Sequence, residues 1–279
     1  FDQGLTLYYG FNHEAAIRSF RQVIALDSHC VMAWWGQAIA AGPNINNPEM
    51  DSTAKIAAWE TIQQALTHVD GASPIEQGLI NALSKRYSWP PPDDRRSLDS
   101  AYADAMRTVY NAFPHDPDVA VLFADALMNL RPWDLWTPDG VAQPGTPEVV
   151  HTLEKVLEKH PDHPGACHFY IHTMEASPYP YKALLAADAL RNRIPGAGHL
   201  VHMPSHIDIR LGHYENAITA NAKAIIADSI WAPAGGFYTM YRAHNYHFLA
   251  YAAMFDGQKQ KALKASREMV EQIPLELVR

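Results

Sequence analysis

The stretch LYYGFNHEAAIRSFRQVIALDS, residues 7–28, decides the fold. Its second helix is marked by four positions: Ala16, Phe20, Val23 and the exit residue Ser28. The same offsets recur in YKALLAADALRNRIP, residues 181–195, as Ala183, Ala187, Leu190 and Pro195. They recur in ENAITANAKAIIADS, residues 215–229, as Ala217, Asn221, Ala224 and Ser229. The last copy, QKALKASREMVEQIP, residues 260–274, carries Ala262, Ser266, Met269 and Pro274. A small residue at the first offset lets two helices approach closely, and serine or proline at the last fits a helix stop.

Segments between these copies read as more degenerate helix pairs. Residues 30–41 pair with 53–68, 74–87 with 97–113, and 117–130 with 147–160. The breaker SWPPPDD splits the second of these pairs, and the insertion RPWDLWTPDGVAQPGTP, residues 131–147, splits the third. A loop of that length suits either a functional lid or a packed surface loop. No strand pattern appears. The stretch 7–28 and its copies resemble tetratricopeptide repeats. The fold expected is therefore all-α, a tetratricopeptide-like α-solenoid of about seven helix pairs, with residues 1–279 as a single repeat domain.

Bulk composition excludes several function classes. Of the 279 residues 48% are apolar, enough for a sizeable core, and no apolar run is long enough to span a membrane. A net charge of -8 argues against nucleic acid as a partner. Only Cys30 and Cys167 are present, so neither a disulfide framework nor a thiolate zinc cage is expected. Phe1 already lies in a helical pattern, which reads as a trimmed or mature chain. No GxSxG elbow, P-loop or GxGxxG motif occurs.

Histidine is where the chemistry concentrates. CHFYIHTME holds His168, His172 and Glu175; GAGHLVHMPSHIDIRLG holds His199, His202 and His206; HNYHF holds His244 and His247. The repeat phase puts these clusters on the first helices of pairs five, six and seven, so they are expected to share one concave groove. Four steps along a helix return to within about 40° and seven to within about 20°, which aligns His168, His172 and Glu175. His244 and His247, three apart, also share a face. Pro204 is expected to open a helix near Met203, with His199 and His202 arriving from the preceding loop. Asp208 points elsewhere.

Imidazole in such numbers suits a transition metal, and its excess over carboxylate favours copper over zinc. The leading reading is a mono- or dinuclear centre of His168, His172, His199, His202, His206, His244 and His247, most readily a copper-dependent oxidase. With zinc, the same site would hydrolyse, Glu175 serving as general base. The alternative of another class is a peptide-binding or assembly scaffold without catalysis. The partner expected is a small molecule or a peptide in the groove. The remaining histidines (His13, His29, His68, His115, His151, His160, His163 and His213) are read as hydrogen-bonded structural residues. Tyr8, Tyr9, Trp133, Trp136, Tyr238 and Tyr241 are candidates for a pocket floor, with Trp34 and Trp35 given mainly to the core. Arg210 and Arg242 are candidate anion anchors, with exposed salt bridges as the other reading.

Three segments, PGACHFYIHTMEASPYP, PGAGHLVHMPSHIDIRLGHYENAI and HNYHFLAYAAMFDGQ, resemble the hallmarks HFYIHxxEAS, GHLVHMPSHIxxRxG and HNLHFL of a widespread group of bacterial tetratricopeptide-repeat proteins. FDQGLTLYYGFNHEAAIRSF and CVMAWWGQAIAAGPNINNP also look typical of the group, so the likeness runs over most of the chain. Tyr246 stands where the group has leucine. The resemblance implies the repeat fold and a role for His168, His172, Glu175, His199, His202, His206, His244 and His247. It implies no particular reaction. Export signals are frequent in the group, which implies a periplasmic or extracellular location.

Overall fold

The computed structural model describes residues 1–229 and 238–272, apart from the side chain of Tyr238. Pro274, the exit position of the last repeat copy, lies outside them. Among the described residues the protein is all-α and built of tetratricopeptide-like helix pairs. It divides into two compact units, Phe1–Gly165 and Ala166–Arg279.

The first unit holds four pairs: α1 (Asp2–Tyr9) with α2 (His13–Leu26), α3 (Val31–Ala40) with α4 (Ser52–Thr67), α5 (Pro74–Leu83) with α6 (Arg96–Ala112), and α7 (Pro117–Met128) with α8 (Thr146–Lys159). Each helix packs on the next. Local chemistry starts them. Asn12, Asp51 and Asp116 accept the amides of Ala15, Ala54 and Val119, and Ser73 with Glu76 closes a capping box ahead of α5. Pro117 sits in the first turn of α7, where its missing N–H costs nothing.

The repeat offsets report packing directly. Ala16, Ala183 and Ala217 are fully buried and Ala262 nearly so. Phe20, at the second offset, inserts its ring between α1 and α3 opposite two glycines. A Cβ on Gly4 would lie 2.8 Å from that ring, and one on Gly36 2.4 Å. Gly36→Ala is expected to destabilise the first unit by about 1–3 kcal/mol, read as a lowered denaturant midpoint.

The first unit also closes on itself, which the repeat pattern does not announce. Tyr8 donates to Asp125 at 2.8 Å and Tyr9 to Asp118 at 2.6 Å, tying α1 to α7. Arg86 is fully buried over the Tyr102 ring and donates to the Pro43 carbonyl. His13 stacks on Tyr8 at 5.2 Å, and burial, followed by the nearby Arg86, pushes its pKa down to about 4. A histidine held neutral when folded takes up its proton on unfolding. Stability is therefore present above the ordinary histidine pKa of about 6.5 and is lost as pH falls toward 4. Chemical denaturation across this window is expected to give a shallower pH slope for His13→Gln than for the parent, by close to one proton.

The insertion between α7 and α8 is a tied surface loop. Trp136 bridges Ala142, and Thr146 Oγ1 donates to the Leu135 carbonyl at 2.7 Å. Trp133 is exposed and holds a left-handed backbone, φ 60°.

The second unit runs α9 (Pro164–Glu175, whose first two residues belong to the first unit), then a 3-10 turn, Pro180–Ala183, leading into α10 (Leu184–Leu190). There follow α11 (Gly198–His202), α12 (Pro204–Leu211), α13 (Tyr214–Ser229), α14 (Tyr238–Phe255) and α15 (Lys259–Gln272). Its apolar core joins α13, α14 and α15 through Ala217, Ile218, Leu249, Ala253 and Ala265.

Candidate metal centre

All eight residues of the three histidine clusters belong to the second unit. On α9, His168 and His172 are 0% and 4% exposed, and Glu175 at the end of the same stripe is partly exposed. The middle cluster differs from expectation. His199 and His202 come from a short helix, α11, rather than a loop. Met203, between α11 and α12, keeps right-handed helical angles although it precedes a proline, and Pro204 opens α12. The chain therefore runs on almost as one helix, and offsets of three and seven bring His199, His202 and His206 to one face. A glycine start permits this placement. A Cβ on Gly198 would lie 1.8 Å from the buried Asp228 carboxylate of α13.

On α14 the inward stripe is Tyr241, His244 and Phe248. Tyr241 packs on His199 with ring centres 4.5 Å apart, His244 on His202 at 4.8 Å, and Phe248 on His206 at 4.6 Å. His247 is exposed and stands outside the cluster. It lies about 60° around the helix from His244, on the side away from Phe248, and that turn takes it out to solvent.

The six remaining histidines form two groups. His168, His172 and His199 are one; His202, His206 and His244 are the other; within each group the ligating atoms lie within 4.8 Å of one another. His199 Nε2 stands 3.1 Å from His168 Nε2, and His202 Nε2 stands 2.8 Å from His206 Nε2. The groups adjoin through His172 and His206, with ring centres 5.3 Å apart, and through His199 and His202 at 5.6 Å.

Three outer contacts set the tautomers. Asn221 donates its amide to the Ala217 carbonyl, which turns its oxygen to His202 Nδ1 at 2.7 Å. Glu175 accepts from His172 Nδ1 at 2.9 Å with one oxygen and from His206 Nδ1 at 2.6 Å with the other. An imidazole that donates from Nδ1 carries its lone pair on Nε2. His172, His202 and His206 are thus held in the form in which Nε2 is a ligand. A carboxylate or amide that orients a histidine through its far nitrogen is the usual outer support of a metal site.

Burial governs the electrostatics. It drives the pKa of His199 and His202 well below the ordinary histidine range, with repulsion among neighbouring imidazoles adding to it. His244 falls to about 3, chiefly by burial and then by His206. His172 is lowered by burial against the pull of Glu175. Burial works to raise the Glu175 carboxyl, but attraction to His206 and hydrogen bonds from both histidines hold it well below the usual carboxylate range. These imidazoles are neutral near pH 7, the protonation state that binds metal.

Other candidates fall elsewhere. Tyr8 and Tyr9 are core residues of the first unit, Trp35 is buried there, and Trp34 donates to the Ser28 carbonyl. The side chain of Tyr238 lies outside the described residues. Arg210 is exposed and Arg242 half-buried. Asp208 points away from the histidines, as expected, and takes Arg191 in two hydrogen bonds of 2.8 and 2.7 Å. Sequence reasoning missed the role of Asn221. Its signal was a polar residue at the repeat offset that Phe20 and Ala187 fill with apolar side chains. It also missed Asp228 and Asn245, which pair at 2.7 Å between α13 and α14.

No family model and no curated protein matches the sequence. Among solved structures, the chain is similar to the MamA protein, with 15% identity over 62% of this chain and 82% of that one, at a TM-score of 0.44. It is also similar to the C-terminal part of a tetratricopeptide-repeat protein from Cytophaga hutchinsonii. There the identity is 12% over 98% of this chain and 95% of the other, at a TM-score of 0.47.

Proposed function

We propose that the protein is a helical-repeat scaffold whose second unit carries a transition-metal centre. The scaffold part, first weighed as the alternative, is now the better supported, because helix pairs packed in series are an architecture that commonly serves binding. The metal part rests on one observation. His172, His202 and His206 each donate from Nδ1 to a fixed acceptor, Glu175 or Asn221, so that three Nε2 lone pairs are turned inward in a buried space.

Five of the six clustered histidines are buried and His244 is half-buried. Closed sites of this kind suit structural or storage roles, whereas catalytic sites keep a position open. Copper-dependent oxidation is the finer reading, and it requires a way in beside His244. Aerobic turnover of phenolic or amine substrates by the copper-loaded protein tests it. In this reading Glu175 is a positioning residue. Both its oxygens already accept hydrogen bonds from ligands, which leaves it a poor general base for a zinc hydrolase.

Titration of zinc and copper against a competing chelator tests the metal reading. Binding at submicromolar concentration, weakened strongly in His206→Gln, supports it. Equal, weak binding by the parent and the variant contradicts it.

A further inference from the structure

The donor atoms speak to how many ions the centre holds. Six imidazoles around one ion would place every pair of nitrogens within about 4.2 Å, given metal–nitrogen bonds of about 2.0–2.1 Å. The histidines instead separate into two groups of three. Each group contains one close pair: His168 with His199 at 3.1 Å and His202 with His206 at 2.8 Å. Two nitrogens bound to one ion stand roughly 3 to 3.5 Å apart, so each close pair has nearly the spacing of ligands to a single ion. In the second pair both Nδ1 atoms are engaged by Asn221 and Glu175, so two lone pairs face each other at 2.8 Å. A cation shared by both, a metal ion or a proton on one ring, turns that repulsion into attraction.

Glu175 joins the groups. One of its oxygens holds His172 of the first and the other holds His206 of the second. It reaches both groups from one side chain, and imidazole binds a metal as a neutral ligand. Repulsion between two divalent ions is about four times that between two univalent ones, and burial reduces screening. Neutral triads with a single outer carboxylate therefore suit cuprous ions.

We infer that the centre is dinuclear: His168, His172 and His199 hold one cuprous ion, His202, His206 and His244 hold a second, and Glu175 positions a ligand of each. The inference rests on the metal reading above and adds to it the number of ions, their charge and the ligands of each.

The test is anaerobic titration of the full, untagged chain with cuprous copper against a chromophoric cuprous chelator. The parent is expected to take two equivalents. His168→Gln and His244→Gln are each expected to retain one, and helicity and melting temperature show whether each variant is folded. A single equivalent in the parent overturns the dinuclear inference and leaves the metal reading intact. No retained copper overturns the cuprous inference, and the zinc titration above then decides the metal reading. Two equivalents that neither folded variant diminishes place the copper elsewhere and likewise overturn the inference. The parent stoichiometry needs no variant, so the inference stays open to refutation if a substituted chain fails to fold.

Discussion

Glu175→Gln is expected to weaken metal binding at one of the two histidine groups, by about 10- to 100-fold. The carboxylate offers two acceptors, one to His172 and one to His206. An amide offers one acceptor and one donor, so whichever way it turns, its N–H faces an N–H of one imidazole. That histidine then flips its tautomer or rotates, and its Nε2 is no longer presented. The side chain keeps its size, so the effect separates orientation from packing. Glu175→Ala is expected to weaken both groups and to cost stability as well, because two buried N–H groups lose their acceptor. Asn221→Leu, by contrast, is expected to affect only the group of His202. Competition titrations of the three variants check this pattern, and an effect of Glu175→Ala confined to one group would refute it.

Gly198→Ala is expected to be the most destabilising single-methyl change in the second unit, about 3–5 kcal/mol. The added carbon would meet Asp228 Oδ1 at 1.8 Å, far inside contact distance. Asp228 is 1% exposed and accepts from Asn245 of α14 at 2.7 Å, so it cannot retreat without breaking that bond. The alternative is for α11 to move away from α13, which carries His199 and His202 out of register with Tyr241 and His244. Loss of stability and loss of metal binding should therefore appear together, measured by denaturant unfolding and by the same titration. Asp228→Ala in the Gly198→Ala background removes the clash and should recover part of the stability.

The helix pairs were legible because their signal is local. Ala16, Ala183, Ala217 and Ala262 recur at a fixed place in each copy, and the structure buries all four at helix crossings. Six of the seven histidines assigned to metal come together for the same reason, since the repeat phase says which helices are neighbours. Where the reading departs from the structure, long-range or cooperative effects decide. Pro204 suggests a loop before α12, yet α11 is helical almost to the proline, starting at a glycine that leaves room for the buried Asp228. His247 shares a broad helical face with His244, but only a narrow stripe of α14 faces the other histidines, and Tyr241 and Phe248 flank His244 along it. The ties from Tyr8 to Asp125 and from Tyr9 to Asp118 join residues more than a hundred positions apart, with no periodicity to betray them. Asn221 looked like a variant repeat residue, and its function is visible only beside His202.

The second unit is expected to hold a transition metal through these histidines. Metal content by elemental mass spectrometry, on protein purified without a histidine tag and beside His172→Ala, tests it most directly. At least one equivalent of copper or zinc in the parent, falling sharply in the variant, is the result expected. No bound metal in either protein, even after reconstitution with both ions, would contradict it and leave the repeat scaffold alone to account for function.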